Sequence, residues 1–254
     1  MLDFSTAAIL LRKRQYQDHD LIISFFTQDF GKISVIAKYA KKSVKRFAGI
    51  LEPFCILDLT CRKSKKSNLD FLNEAVLQES FSNIRSDVLK TAYASYWAEL
   101  VDKWMEERAD NVWLFELLSF VLKRLDEGQP PEYLSILFQI RFLAMLGFCP
   151  NLIYCNICGK DMHQMNGHYV SFDLMAGGLI CRSCKTGTQM QHRLSKGSVK
   201  QLLWLVQSAD LSQAERVKFS AAASKEGLDF LETFVPWHLG KKIKSLSFLR
   251  QIRR

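Results

Sequence analysis

Between Cys155 and Cys184 the chain reads C-N-I-C-G-K-D-M-H-Q-M-N-G-H-Y-V-S-F-D-L-M-A-G-G-L-I-C-R-S-C, two Cys-x-x-Cys pairs with 22 residues between the inner cysteines. A two-residue gap lets a pair of thiolates, helped by the amides of a tight turn, grip one edge of a metal tetrahedron, and a second pair closes the site. Gly159 directly follows the first pair, where a turn needs a residue tolerant of positive φ, and Gly177-Gly178 leads into the second. The separation slightly exceeds the roughly 15 to 20 residues usual for such sites. The insert is therefore expected to hold a hairpin, with strands at residues 168–172 and 175–180. The expected ligands are Cys155, Cys158, Cys181 and Cys184, holding one Zn2+ per chain. Four thiolates leave no open position for water or substrate, so the metal is expected to be structural. Two disulfides or four reduced core thiols are the alternatives, but neither needs paired spacing. Cys55, Cys61 and Cys149 bring the total to 7, an odd count poorly suited to a secreted disulfide framework. His163, His168 and His192 are the substitutes available should one cysteine not be a ligand.

The rest of the chain must supply a frame for this clip. Its 254 residues, 48% apolar, suffice for one large or two modest cores. The opening residues place an acid before a short apolar run and the positive charges after it, the reverse of a secretory signal. The longest apolar segment, residues 133–149, is interrupted by Gln139 and Arg141 and falls short of a bilayer span. These features predict a soluble protein of the reducing cytoplasm.

Residues 1–80 read as five short strands rich in Ile, Val, Leu and Phe, at 6–14, 20–27, 32–38, 54–62 and 69–77. Turn signals separate most of them: Gln28-Asp29-Phe30-Gly31, then Gly49 and Pro53, then the polar run at 64–68. Five strands can close a small antiparallel barrel, either of the oligonucleotide-binding (OB) type or SH3-like. From Ser82 the period changes, with Ile84, Val88, Ala92, Tyr96, Leu100 and Trp104 at helical spacing. Asn111 can cap a second helix over 112–127, ended by Gly128 and Pro130-Pro131, and a third runs over 132–146 to Gly147 and Pro150. Aromatic residues on these helices follow the burial period and are assigned to the core. Helical patterning resumes at 198–207 and 227–234, and the tail alternates basic and apolar residues. The chain is thus α+β: a barrel at 1–80, a helical domain in two parts at 81–150 and 191–254, and a zinc finger inserted at 151–190.

Charge is unevenly spread along this order. The total is +9, with 13 basic against 9 acidic residues over 1–80, 7 against 10 over 81–150, 3 against 2 over 151–190, and 12 against 5 over 191–254. A polyanion partner is the natural reading of two positive ends. The sharpest cluster is K-Y-A-K-K-S-V-K-R-F, where Lys38, Lys41, Lys42, Lys45 and Arg46 are candidate phosphate contacts and Tyr39 or Phe47 a stacking surface. The alternative is a solvated loop that keeps the protein soluble. Lys63, Lys65 and Lys66, in a hairpin turn, either extend the same strip or are the ordinary lysines of an exposed turn, while the tail residues Lys241, Lys242 and Lys244 fit either role.

Signs of catalysis are sparse. No Gly-rich phosphate loop precedes a helix and no Gly-x-Ser-x-Gly elbow occurs. Asp18 and Asp20, read as lying on one strand face, are the pair that a metal-dependent nuclease would use, though such a site needs further acids. A protein-only adaptor, its lysines facing acidic tails, is the other rival.

Several separated segments, in order, resemble the RecO family of bacterial DNA repair and recombination-mediator proteins. They are A-I-L-L-R, D-H-D-L-I-I-S-F-F-T-Q-D-F-G-K-I-S-V-I-A-K and K-R-F-A-G-I-L-E-P-F near the start, then R-F-L-A-M-L-G-F-C-P-N-L, C-N-I-C-G, F-D, A-G-G-L-I-C-R-S-C and L-G-K-K-I-K-S-L-S-F-L. Where the family usually has glycine after the Ala-Lys that ends the third strand, this chain has Tyr39. The resemblance implies an OB barrel, a helical domain and, with all four cysteines present, the zinc-bearing version. It implies a non-enzymatic activity: binding single- and double-stranded DNA, annealing complementary strands and, with RecR, loading RecA onto strands coated by single-strand-binding protein. The acidic, Phe-ended tail of single-strand-binding protein would need an apolar pocket rimmed by a cation, for which Arg124 and Arg141 are candidates. A cytoplasmic, nucleoid-associated location follows from the same resemblance.

Overall fold

The structure is a computed structural model that describes residues 3–43, 45–47, 49–65, 69–185 and 191–253. Lys66, one of the lysines of the basic strip, lies outside the described residues, as do Val44 of the basic cluster and most of the polar turn at 64–68. The first elements are β1 (Asp3–Tyr16), β2 (Asp20–Thr27), β3 (Gly31–Ala37), β4 (Ile56–Arg62), β5 (Asp70–Glu79), α1 (Ser82–Arg85), α2 (Val88–Trp104) and α3 (Val112–Asp126). Then follow α4 (Pro131–Met145), β6 (Asn151–Cys155), β7 (Tyr169–Asp173), β8 (Gly178–Ile180), β9 (Gln191–Ser195), α5 (Lys196–Gln207), α6 (Leu211–Ala214), α7 (Ala221–Leu239) and α8 (Lys244–Ile252). They form two compact units, one of residues up to Gln129 together with those from Ile243 onward, the other Pro130–Lys242. Among the described residues no helix is long and apolar enough to cross a membrane.

In the first unit five strands close into a barrel in the order β1-β2-β3-β5-β4, with β3 and β5 parallel at Val35↔Asp70 and Ile36↔Phe71. This is the OB arrangement, which settles the choice against an SH3-like barrel. The 14-residue β1 makes closure possible, because its Ala8–Tyr16 part pairs with β2 and its Asp3–Ile9 part with β4. A register shift between Leu10 and Arg12 supplies the bend between the two partners. Alternate residues fill the interior: Ala8 and Leu10, Ile23 and Phe25, Ile33 and Val35, Leu57 and Leu59 are all at most 1% exposed. β2 is buried on its outer face as well, where Phe26 meets Phe115 of α3 with ring centroids 6.4 Å apart.

The β2–β3 turn ends on Gly31, whose φ of +61° and surroundings both demand glycine: a Cβ there would lie 1.9 Å from the Ala109 carbonyl oxygen. The segment after α2 is held against β3 by the Arg108 N–H, which donates to the Lys32 carbonyl at 2.8 Å, and by the 2.7 Å ion pair of Arg108 with the buried Asp70. Asp87 caps α2, accepting from the N–H groups of Leu89 and Lys90, and Asn111 caps α3 through Leu114, as its position in the sequence predicts. Tyr93, Tyr96 and Trp97 of α2 are fully buried, the core role expected of them.

The tail forms α8, which packs on α2 through Leu246 and Leu249. Ile243, at its N-cap position, has no capping side chain. Glu99 of α2 takes that role, accepting from the N–H groups of Lys244 and Ser245 and from the Ser245 hydroxyl.

The second unit combines helices α4, α5 and α7 with a four-stranded sheet ordered β6-β8-β7-β9. The predicted hairpin is present as β7 and β8, antiparallel through Ser171↔Ile180 and Asp173↔Gly178. One face of the sheet packs on α7, where the Phe172 ring meets Phe230 at 4.7 Å and Phe234 at 5.3 Å.

Candidate metal centre and nucleic-acid interface

The four cysteines come together because each pair sits on a turn that terminates a strand. β6 ends at Cys155, and the chain reverses through Gly159 at φ +71°, whose N–H donates to the Cys155 carbonyl at 2.9 Å. β8 leads to Cys181, and a single helical turn (Arg182–Cys184) brings Cys184 round, its N–H donating to the Cys181 carbonyl at 3.0 Å. All four Sγ atoms lie within 4.8 Å of one another, and those of Cys158 and Cys181 are 3.7 Å apart. A tetrahedron with metal–sulfur bonds of about 2.3 Å has edges of about 3.8 Å, so the donors fit zinc in both type and spacing. Among the described residues this is the one group of three or more Cys, His, Asp or Glu able to hold a metal, and His163, His168 and His192 are not part of it.

The protonation of these thiols is linked. Burial works to raise Cys155, but N–H donors from Cys158, Cys181 and Ile157 outweigh it and bring that thiol down to about 6. Hydrogen bonding to Cys181 and Cys158 pushes Cys184 up to about 12. Burial also works to raise Cys181, but hydrogen bonds from Cys184, Cys158 and Ser183 outweigh it and lower that thiol as well, so Cys155 and Cys181 lean toward the thiolate and Cys184 away from it. Ionising all four in so small a volume requires a dication to offset their repulsion. Cys61 contrasts with them: burial, and then the Asp70 charge, lift it to about 12, and it behaves as core.

The basic loop starts where β3 ends. Tyr39 adopts the left-handed conformation, φ 55° and ψ 25°, and a single helical turn follows at Ala40–Lys42. The chain thus keeps the sharp turn that a glycine would make, with a tyrosine in the strained position. The turn is tied to the β1–β2 connection, since Tyr39 N–H donates to Asp20 Oδ1 at 2.8 Å and Lys41 N–H to the His19 carbonyl at 3.1 Å. Arg46 donates to the Lys38 carbonyl at 2.7 Å and sits 4.9 Å from the Phe47 ring centroid. Among the described residues none of Lys38, Lys41, Lys42, Lys45 and Arg46 takes part in an ion pair.

The two aromatic candidates part company. Tyr39 is 62% exposed, whereas Phe47 is 2% exposed and belongs to the barrel core. Phe47 is therefore no stacking surface: the loop dips at this point and uses the ring as a plug. A different aromatic joins the cations instead. Half-buried Phe71 has Lys38 at 5.4 Å and Arg62 at 5.5 Å from its ring centroid, and Lys63 lies 5.9 Å from that of Phe4. The parallel β3·β5 contact, which no local pattern announces, brings residue 71 beside residue 38.

Asp18 and Asp20 do not share a strand face. Asp18 lies exposed in the turn before β2, while Asp20 begins β2 with its carboxylate buried and accepting from Tyr39 N–H. Among the described residues no third Cys, His, Asp or Glu completes a metal group with them. Arg124 pairs with Glu127 at 2.9 Å and covers Phe120, and half-buried Arg141 donates to the carbonyls of Val206 and Ser208. An apolar cavity of about 310 Å3 beside α3, lined by Phe81, Phe115 and Phe120, has Lys123 rather than Arg124 in its wall. Of the tail lysines, Lys244 opens α8 and its N–H bonds Glu99.

Family models match nearly the whole chain. The model described as Recombination protein O N terminal matches residues 1–81, and that described as Recombination protein O C terminal matches 85–247. Among curated proteins, the chain is 44% identical to the DNA repair protein RecO of Desulfosudis oleivorans, over 100% of this chain and 99% of the relative. It is 43% identical to that of Desulfatibacillum aliphaticivorans over 98% and 97%, and 33% identical to that of Listeria monocytogenes over 96% and 92%.

Proposed function

Because the chain belongs to the recombination protein O (RecO) family, we propose that it serves DNA repair and recombination as a non-enzymatic mediator that binds single- and double-stranded DNA. The observation that carries this reading is a loop of five cations, none of them in an ion pair among the described residues, mounted on an OB barrel beside an exposed tyrosine. Lys38, Lys41, Lys42, Lys45 and Arg46 contact phosphates, and Tyr39 offers a face on which a base stacks. Annealing then follows without fuel: cations screen the repulsion between two strands and leave base edges free to select each other. The same protein works with RecR to load RecA onto strands coated by single-strand-binding protein, whose acidic tail it contacts. It acts in the cytoplasm, at the nucleoid. One Zn2+ on Cys155, Cys158, Cys181 and Cys184 fixes the turns of the second unit and takes no part in chemistry.

Strand annealing measured with and without single-strand-binding protein tests DNA contact and partner contact together. Annealing that proceeds on bare strands and, with RecR, on coated strands is expected. Failure to bind any oligonucleotide at low salt would favour a protein-only adaptor. Cleavage of labelled DNA in magnesium or manganese, lost in Asp18→Asn, would replace the mediator by a nuclease.

A further inference from the structure

The sheet of the second unit has two faces of opposite character. Phe172 and Leu194 point to the α7 side and are fully buried. Side chains alternate along a strand, so Tyr169 and Ser171 of β7, with Arg193 of β9 directly opposite Ser171, share the other face. There they line a cavity of about 380 Å3, whose wall includes His168 and, from the turn that carries the second cysteine pair, Arg182 and Lys185. The Arg193 side chain lies over the Tyr169 ring, 3.9 Å from its centroid, and the ring remains 47% exposed. Among the described residues no Asp or Glu lines this cavity, and none of Arg182, Lys185 and Arg193 is in an ion pair.

Three cations facing one space without a carboxylate repel each other unless an anion enters. A tetrathiolate centre with a dication retains a formal charge of about −2, which Arg182 and Lys185, on its own turn, can offset. That account gives no role to Arg193, on a different strand, nor to an exposed ring with a guanidinium held over it. An exposed aromatic ring accepts a further planar group, and cations beside it accept phosphate. The volume is that of a small-molecule site, too small for a duplex. We infer that this cavity is a nucleotide subsite, which holds the phosphate of one unpaired nucleotide on Arg182, Lys185 and Arg193 and stacks its base on the Tyr169–Arg193 layer. The inference rests on the nucleic-acid reading of the barrel loop and places a second strand contact on the other unit.

The test uses the full-length, metal-bound protein and two single strands of equal length, oligothymidylate and an abasic strand, with binding followed by fluorescence anisotropy across a salt series. Arg193→Gln with Lys185→Gln should weaken binding to both strands about tenfold and flatten the salt dependence by about 1.4 logarithmic units, the value for two lost contacts to a single strand. Tyr169→Leu should weaken oligothymidylate binding at least about fivefold and leave the abasic strand unchanged, as expected for a lost stacking contact. An unchanged salt slope in the double variant overturns the subsite, as does a Tyr169→Leu loss equal on both strands. Loss of zinc in the double variant with DNA affinity intact also overturns it, by making the cations servants of the thiolate centre. If Lys41→Ala, Lys42→Ala, Lys45→Ala and Arg46→Ala together abolish binding that the sheet variants retain, this inference alone falls. If the wild-type protein binds neither strand at low salt, the reading of the barrel loop falls as well.

Discussion

Tyr39 concentrates a conflict between stability and use at one position. A tyrosine in the left-handed region costs roughly 1–2 kcal/mol that glycine would not, yet under the proposed function the ring offers a base a stacking face that glycine lacks. Tyr39→Gly is therefore expected to raise the free energy of unfolding by about 1 kcal/mol, read from denaturant midpoints. The same variant should lose about 1–3 kcal/mol of single-strand binding. Opposite signs are the point, and two changes of the same sign would show that the ring serves the fold. Gly31 is the reverse case, a position where any side chain is excluded twice, by φ and by the Ala109 carbonyl. Gly31→Ala should cost about 3 kcal/mol, from the left-handed penalty together with overpacking, and lower the thermal midpoint accordingly.

Among elements, α8 depends on a charge supplied by another helix. Burial works to raise the Glu99 carboxyl, but donors from Lys103, Ser245 and Lys244 outweigh it and hold it below its ordinary value. A folded-state value below the unfolded one means that the contribution is present above pH of about 4.5 and is lost as pH falls through the folded value. The urea midpoint of the wild-type protein should therefore drop faster on acidification than that of Glu99→Gln, the two curves converging at low pH; parallel curves would remove the charge from the account. Loss of the cap in Glu99→Ala should cost about 1 kcal/mol at neutral pH. How legible an element was depended on where its partners lie in the sequence. The barrel strands showed in the sequence because apolar alternation and turn residues are local signals. β6 and β9 were not anticipated, since N-L-I-Y-C and Q-H-R-L-S are short and the order β6-β8-β7-β9 depends on pairing with distant segments. The tail's basic–apolar alternation concealed a helical stripe of two buried leucines, Leu246 and Leu249. Phe47 misled because lysines and an arginine precede it, and flanking charge says nothing about where a single ring points.

On the scale of the whole molecule, the four-cysteine cluster was the most readable feature and the groupings of cations with rings the least. Cysteine spacing is a covalent fact, whereas Phe71 reaches Lys38, and Tyr169 reaches Arg193, only through strand pairing. Metal analysis is expected to give one zinc per chain, and chelation or Cys181→Ser should strip hydrogen-exchange protection from β6–β9. Protection in β1–β5 should persist, because the barrel core contains no ligand of the site. Equal loss across both units would mean that the clip governs the molecule as a single cooperative body.

Helix α8 joins the unit that residues up to Gln129 form. On the ribosome, where the chain emerges from its N-terminus, the whole of Pro130–Lys242 is made before Leu246 and Leu249 reach the waiting flank of α2. α2 is thus made well before the helix that covers it, and must spend that interval with an apolar side uncovered.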